Sequence, residues 1–177
     1  MKASSPFLFF IIRFIALYSA LSIIYNQYLN QSLNLDPITN LVAETVQKSL
    51  PLFGTQVTLS LTQMQSAVFV YITSEIPIVK IIEGCNSISI IILFIAFTFS
   101  FYSGFSRTLL FALLGSLSIF ILNILRIDLF ILGLQHYPEY RSLLHDILFP
   151  ISIYGFVLLL WLVWIFKISR KKQVHEK

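Results

Sequence analysis

One cysteine, one arginine and one histidine that could together transfer an acyl group lie far apart in this sequence. Cys85 is the single cysteine of the chain and directly precedes a long apolar run, Arg126 lies near the end of a second run, and His145 opens a third. A thiol attacks as its thiolate, which neighbouring cations or a helix N-terminus stabilise. A cysteine nucleophile, a histidine acid/base and an arginine beside the developing oxyanion would form an acyl-transfer site.

Each of the three residues also has a purely structural explanation. A lone cysteine can be a small apolar filler. Arg126 can snorkel at a helix end or pair with Asp128. His145 can open a helix in which Asp146 complements the helix dipole. The chemical interpretation therefore depends on whether the chain brings the three residues together.

The composition of the chain is that of an integral membrane protein. Of its 177 residues, 57% are hydrophobic and 11% are charged, with a mean hydropathy of +0.85, whereas soluble domains are about one quarter charged. The net charge of +4 comes from Lys and Arg at the ends of apolar segments and forms no basic face, so nucleic acid is not an expected partner. One cysteine excludes an internal disulfide, and no Cys/His spacing typical of a metal site occurs.

Four apolar stretches are long enough to cross a hydrocarbon core of roughly 30 Å. They are residues 7–25, 87–103, 108–127 and 147–166. The first could be a cleaved signal peptide, but no small-residue cleavage site follows it, and we expect an uncleaved anchor.

The basic residues give these spans an orientation, because short cytoplasmic loops are enriched in Lys and Arg. Lys2, Arg107 and the tail 167–177 must then lie on one side, and the more acidic connections 26–86 and 128–146 on the other. Both termini are expected in the cytoplasm.

The long outer connection is predicted to fold. Asp36 and Pro37 form a helix start, apolar residues recur at helical spacing over 37–50, and Pro51 ends the segment. The segments TQVTLSL, AVFVYIT and IPIVKII predict two or three strands. The expected fold is a single all-α polytopic membrane domain over 1–177, with four transmembrane helices and a small extracytoplasmic α+β cap between helices one and two.

This topology predicts that Cys85, Arg126 and His145 lie at the same depth, at the outer boundary of the membrane. Cys85 lies at the outer start of helix two, and His145 opens helix four from the outside. The 19 steps from Arg107 to Arg126 cover about 28 Å of helix, which brings Arg126 to the outer boundary. Asn123, on the same face of its helix, could orient Arg126 or pack between helices.

The sequence motifs of other classes of hydrolytic enzyme do not occur in this chain. The chain has no His-Glu-x-x-His, no Gly-x-Ser-x-Gly, no intramembrane aspartate pair and no phosphate-binding glycine loop. No metal or organic cofactor is expected.

The sequence resembles the exosortase/archaeosortase family of membrane transpeptidases, through EGCNSISIIILF, NILRIDLFIL and HDILFPISIYGFVLLLW. The family carries a cysteine at the outer start of a helix, an arginine in an Asn-x-x-Arg context and a histidine opening the following helix. Carried over, these are Cys85, Arg126 and His145. The short chain looks most like the small exosortase-F-like branch of Bacteroidetes. Two features depart from the family: a common glycine is replaced by Ser87, and the upstream helices of full-length members are missing.

The resemblance implies a cysteine transpeptidase or protease of the bacterial inner membrane, with its site facing the periplasm. Its substrates would be proteins with a C-terminal sorting signal, namely a short motif, a transmembrane helix and a basic tail. Membrane lipid and a small membrane partner protein are the other partners considered, and the oligomeric state is left open. Two alternatives remain: a cysteine protease without transfer, and a non-catalytic subunit of an envelope assembly or export system.

Overall fold

A computed structural model of the chain describes residues 5–31, 36–62, 67–72 and 76–169. Lys2 and residues 170–177, which include most of the basic tail, lie outside the described residues. The chain divides into two compact units. We call residues 1–28, 88–119 and 154–177 the helical unit, and residues 29–87 and 120–153 the mixed unit.

Among the described residues, three helices are long and apolar enough to cross a membrane: α1 (Ser5–Gln31), α4 (Phe105–His136) and the helix that contains α5 (Phe149–Val163). The last of these begins with a π-helical turn at Leu143–Leu148 and ends with another at Trp164–Ser169. Three of the predicted spans, 7–25, 108–127 and 147–166, lie within these helices.

The remaining predicted span, 87–103, is a shorter helix. Here α3 covers Ile88–Ser100, 13 residues or about 20 Å of rise. A fourth membrane span therefore stays a prediction.

Helix α4 extends over the first nine residues of the predicted connection 128–146, because it continues to His136. From the sequence, Asp128 was expected to be the first residue beyond the span. Beyond Asp128, however, Phe130, Ile131 and Leu134 are buried in the core of the mixed unit, at most 7% exposed. Their helical spacing gives α4 a buried face to pack, so the helix does not stop at the charged residue.

The predicted helix over 37–50 is confirmed as α2 (Pro37–Ser49). The Asp36 carboxylate accepts hydrogen bonds from the backbone N–H of Ile38 at 3.2 Å and of Thr39 at 3.0 Å, as an N-cap should. A 3₁₀ turn at Leu50–Phe53 contains Pro51 and ends at Gly54, whose φ of +81° suits glycine.

Three strands follow within the segments for which two or three strands were predicted: β1 (Thr58–Thr62), β2 (Ala67–Tyr71) and β3 (Val79–Ile81). They form one antiparallel sheet in the order β1–β2–β3. The pairs include Leu59 with Val70 and Val68 with Ile81. The core of the mixed unit joins the buried faces of α2 and the sheet to the second half of α4.

Aromatic rings pack the helical unit. Phe10 of α1 lies 5.6 Å from Phe97 and 4.3 Å from Phe101, measured between ring centroids. The Trp164 indole is fully buried and donates a 3.0 Å hydrogen bond to the Phe101 carbonyl. A side chain at Gly115 of α4 would overlap the Phe94 ring, so this glycine allows α3 and α4 to approach closely.

Candidate functional site

Cys85 ends a 3₁₀ turn, Glu83–Cys85, that leads from β3 toward α3. The Cys85 N–H donates to the Ile82 carbonyl at 2.8 Å, and the side chain is half-buried. The expectation that Cys85 lies directly at the start of helix two needs a correction, because α3 begins three residues later, at Ile88. The turn, together with the residues that hold it, therefore positions the thiol.

Ser87, two residues after Cys85, adopts a backbone conformation that favours glycine. Its φ is +61°, in the left-handed region that glycine adopts without a steric penalty. The Ser87 hydroxyl donates a 2.6 Å hydrogen bond to the Asn86 carbonyl. The serine thus retains the backbone shape of a glycine position between Cys85 and α3.

A buried polar network fixes the residue that follows the cysteine. Asn86 is 1% exposed, and its side-chain amide donates to the Asp36 carboxylate at 3.0 Å and approaches the Thr39 hydroxyl oxygen at 3.3 Å. The same Asp36 oxygen accepts from the Thr39 hydroxyl at 2.9 Å. The N-cap residue of α2, Asp36, therefore also anchors the turn Glu83–Cys85, which we call the cysteine turn. Asp36 and Asn86 are 50 residues apart in sequence.

Asn123 of α4 holds the cysteine itself. Its fully buried side-chain amide donates a 2.8 Å hydrogen bond to the Cys85 carbonyl. From its position on the helix, Asn123 was expected to orient Arg126 or to pack between helices. In the structure its side-chain amide bonds the Cys85 carbonyl instead.

Arg126 lies one turn after Asn123 on α4, and its guanidinium carbon lies 5.9 Å from the Phe149 ring centroid. Asp128, two residues further on, is rotated by about 200° around the helix. It is buried, 2% exposed, and lies near Ser49 of α2. The alternative in which Asp128 is the structural partner of Arg126 therefore does not fit the helix geometry.

His145 lies in the π-helical turn Leu143–Leu148. Pro150 follows this turn, and because proline has no N–H it cannot bond the Asp146 carbonyl in an α-helical ladder. Local π geometry is a common adjustment at such positions and often accompanies functional sites. The His145 Nδ1 lies 2.7 Å from an Asp146 carboxylate oxygen, and both side chains are exposed. The His145 ring also lies 5.7 Å from the Phe130 ring.

All three predicted residues line one cavity of about 240 Å³ within the mixed unit. Its walls come from β3, the cysteine turn, α4 and the start of α5. The complete lining is Val79, Lys80, Ile81, Gly84, Cys85, Arg126, Ile127, Phe130, His145, Phe149 and Pro150. The cavity therefore has a thiol, an imidazole and a guanidinium in a mainly apolar surrounding.

Several residues of this site were missed or underestimated from the sequence. Lys80, on β3, adds a further cation to the lining, and its ammonium lies 5.8 Å from the Phe69 ring centroid. Asp146 was expected only to complement a helix dipole, but it contacts the His145 ring. Because His145 and Asp146 are adjacent in the sequence, their contact could have been predicted. Nothing in the sequence indicates that Asn86 belongs to the site. Within the described ranges, no three His, Cys, Asp or Glu side chains lie close enough together to hold a metal ion.

Comparison of the chain with protein-family models, with curated proteins and with solved structures found no match.

Proposed function

We propose that this chain is a membrane-embedded cysteine transpeptidase or protease of the exosortase type, which cleaves a C-terminal sorting signal through a thioester. One observation carries the proposal: Cys85, Arg126 and His145, chosen by residue type and spacing, line the same 240 Å³ cavity. The three residues come from three separate elements, so their meeting is not a consequence of proximity in the sequence.

The proposed placement has four spans, with α3 as a short one. Lys2, Arg107 and the tail 167–177 lie on the cytoplasmic side of the bacterial inner membrane, in accord with the distribution of basic residues. The mixed unit then lies at the periplasmic side, where a substrate's transmembrane helix would present the peptide that precedes it.

The reaction begins with the Cys85 thiolate. Its sulfur attacks the scissile carbonyl carbon, and the Arg126 guanidinium stabilises the oxyanion that forms. As the C–N bond breaks, His145 protonates the departing amine, leaving the N-terminal part of the substrate as a thioester on Cys85. An acceptor amine on a lipid or envelope glycan then attacks the thioester, His145 takes the amine proton, and the thiolate leaves. Water in place of the amine gives proteolysis.

The contacts around the site support these roles. Because Asp146 lies against Nδ1 of His145, Nε2 is the ring nitrogen that exchanges protons with the substrate. Asn123 and Asn86 hold the backbone of the cysteine turn from two sides. Ile127, Phe130 and Phe149 line the cavity with apolar side chains, and charges interact more strongly beside apolar groups than in bulk water.

The deciding experiment measures Cys85 alkylation by iodoacetamide in the purified full-length protein, at pH 7 and at pH 10. If Arg126 and His145 activate the thiol, Arg126→Ala and His145→Ala will each lower the rate at pH 7 by about tenfold and leave the rate at pH 10 unchanged. Arg141→Ala and His136→Ala, at positions that do not line this cavity, are the matched controls and should leave both rates unchanged.

A second measurement tests acyl transfer directly. The protein is incubated with synthetic peptides that carry a hydrophobic C-terminal helix and a basic end, and intact mass is recorded. A hydroxylamine-sensitive adduct on wild type that is lost in Cys85→Ala supports the thioester. A thiol that reacts only at pH 10, with all four variants alike, would favour the non-catalytic subunit.

A further inference from the structure

Arg13 lies inside α1, in the candidate span Phe7–Gln31. A guanidinium in an apolar helix is costly in a bilayer, and such residues usually face a cavity or an anionic partner. The guanidinium carbon of Arg13 lies 4.5 Å from the centroid of the Phe9 ring. The cation–π contact stabilises the charge without neutralising it.

Ring packing places Arg13 near the end of α3. The Phe10 ring contacts Phe101, just beyond the last residue of α3, and Arg13 follows Phe10 by three residues, on the same side of α1. A cavity of about 450 Å³ lies at this point, lined by Arg13, Ala16, Leu17, Phe99 and Tyr102. It is separate from the cysteine site and lies within the helical unit.

The described residues of the helical unit offer Arg13 no carboxylate. Over these residues, 5–28, 88–119 and 154–169, the sequence contains neither Asp nor Glu. A counter-ion for this guanidinium must therefore come from outside these described residues. The planar guanidinium suits a bidentate oxyanion such as phosphate.

The supply of phosphate at this depth rests on the four-span placement proposed above, in which α3 is a short span. With 13 residues, or about 20 Å of rise, α3 is roughly 10 Å shorter than a hydrocarbon core, and a short span draws the phosphate-bearing headgroups inward. The apolar side chains of Leu17 and Phe99 beside the guanidinium suit the start of an acyl chain.

We propose that the cavity beside Arg13 binds one membrane phospholipid, with the phosphate on the Arg13 guanidinium and within reach of the Tyr102 hydroxyl. The site is independent of the cysteine chemistry, because none of its residues lines the cavity that contains Cys85.

The test is native mass spectrometry of the purified full-length protein titrated with phosphatidylglycerol in detergent. Wild type should retain one lipid, Arg13→Ala should bind it at least tenfold more weakly, and Tyr102→Phe should bind it a few-fold more weakly. The control is Arg107→Ala, an exposed cation of the same unit outside the cavity, and it should bind like wild type. Equal loss in Arg13→Ala and Arg107→Ala would indicate general charge attraction and overturn the proposal.

Two additions complete the design. If Arg13→Ala does not fold, Arg13→Lys keeps the charge but loses the bidentate geometry, so weaker retention in this variant supports the site and unchanged retention overturns it. Inorganic phosphate is titrated separately. Thermal stabilisation by phosphate that equals that of phosphatidylglycerol would identify free phosphate as the ligand and overturn the lipid assignment.

Discussion

The buried side-chain amide of Asn123 donates a hydrogen bond to the backbone carbonyl of Cys85, 38 residues earlier in the chain. This contact ties the turn that carries the thiol to the helix that carries Arg126. Because Arg126 follows Asn123 by three residues on the same helical face, one segment of α4 sets both the position of the thiol and that of the cation. The Asn-x-x-Arg spacing thus has a geometric reason.

We expect Asn123→Ala to reduce Cys85 alkylation at pH 7 by about three- to tenfold, because a hydrogen bond worth roughly 1 kcal/mol is lost and the turn can move away from Arg126. Iodoacetamide kinetics on the purified protein measure this effect. Ser118→Ala, which removes a side chain that bonds only the local Leu114 carbonyl of α4, is the control. An unchanged rate in Asn123→Ala would show that the hydrogen bond does not position the thiol.

Asp146→Asn tests the contact with His145. An amide in place of the carboxylate cannot stabilise an imidazolium, and a hydrogen bond to a charged group is worth about 1.5 kcal/mol or more. We expect about tenfold slower thioester formation on the peptide substrates, with the unfolding temperature unchanged because the pair is exposed. Glu139→Gln, at another exposed carboxylate of the mixed unit, should leave the rate unchanged. Equal rates in wild type and Asp146→Asn would leave His145 without a functional partner at this position.

The sequence predicted those parts of the fold that local signals determine. Asp36 and Pro37 indicated the start of α2. Alternation indicated the first strand segment, and β-branched and aromatic residues indicated the other two. The end of α4 was missed because Asp128 looks like a boundary residue in the sequence. Its burial against Ser49 depends on α2, about 80 residues upstream, which no local pattern reveals.

The candidate site shows the same difference between residues that local signals identify and residues that only long-range contacts identify. Cys85, Arg126 and His145 were identifiable by residue type, because charged and nucleophilic residues are rare in so apolar a chain. The residues that hold these three in place could not be identified from the sequence. Asn86, for example, is an ordinary polar residue until its contact with Asp36 is known. Arg13 was missed because the charge rule for membrane spans concerns basic residues at their ends, whereas Arg13 lies inside one.

Asn86→Ala tests the anchor of the cysteine turn. The substitution removes one donor from the buried Asp36 carboxylate, and an incompletely satisfied buried group costs roughly 1–3 kcal/mol. We expect a lower unfolding temperature in detergent and slower Cys85 alkylation at pH 7 in the same variant. Asn40→Ala, which removes an exposed amide that bonds Glu44 on α2, is the control and should change neither. Full stability with an unchanged alkylation rate would remove Asn86 from the positioning network.

Gly115 tests the close packing of α3 and α4 in the helical unit. By helix propensity alone, alanine would be favoured over glycine by about 1 kcal/mol. A methyl group at this position overlaps the Phe94 ring, which is fully buried, and overpacking costs about 1–3 kcal/mol. We therefore expect Gly115→Ala to lower the unfolding temperature in spite of its better propensity. The matched control is Gly155→Ala, also in a helix of this unit, where a Cβ meets nothing within 4 Å and propensity should keep or raise stability. A Gly115→Ala variant that melts at or above the Gly155→Ala temperature would contradict the close approach of the two helices.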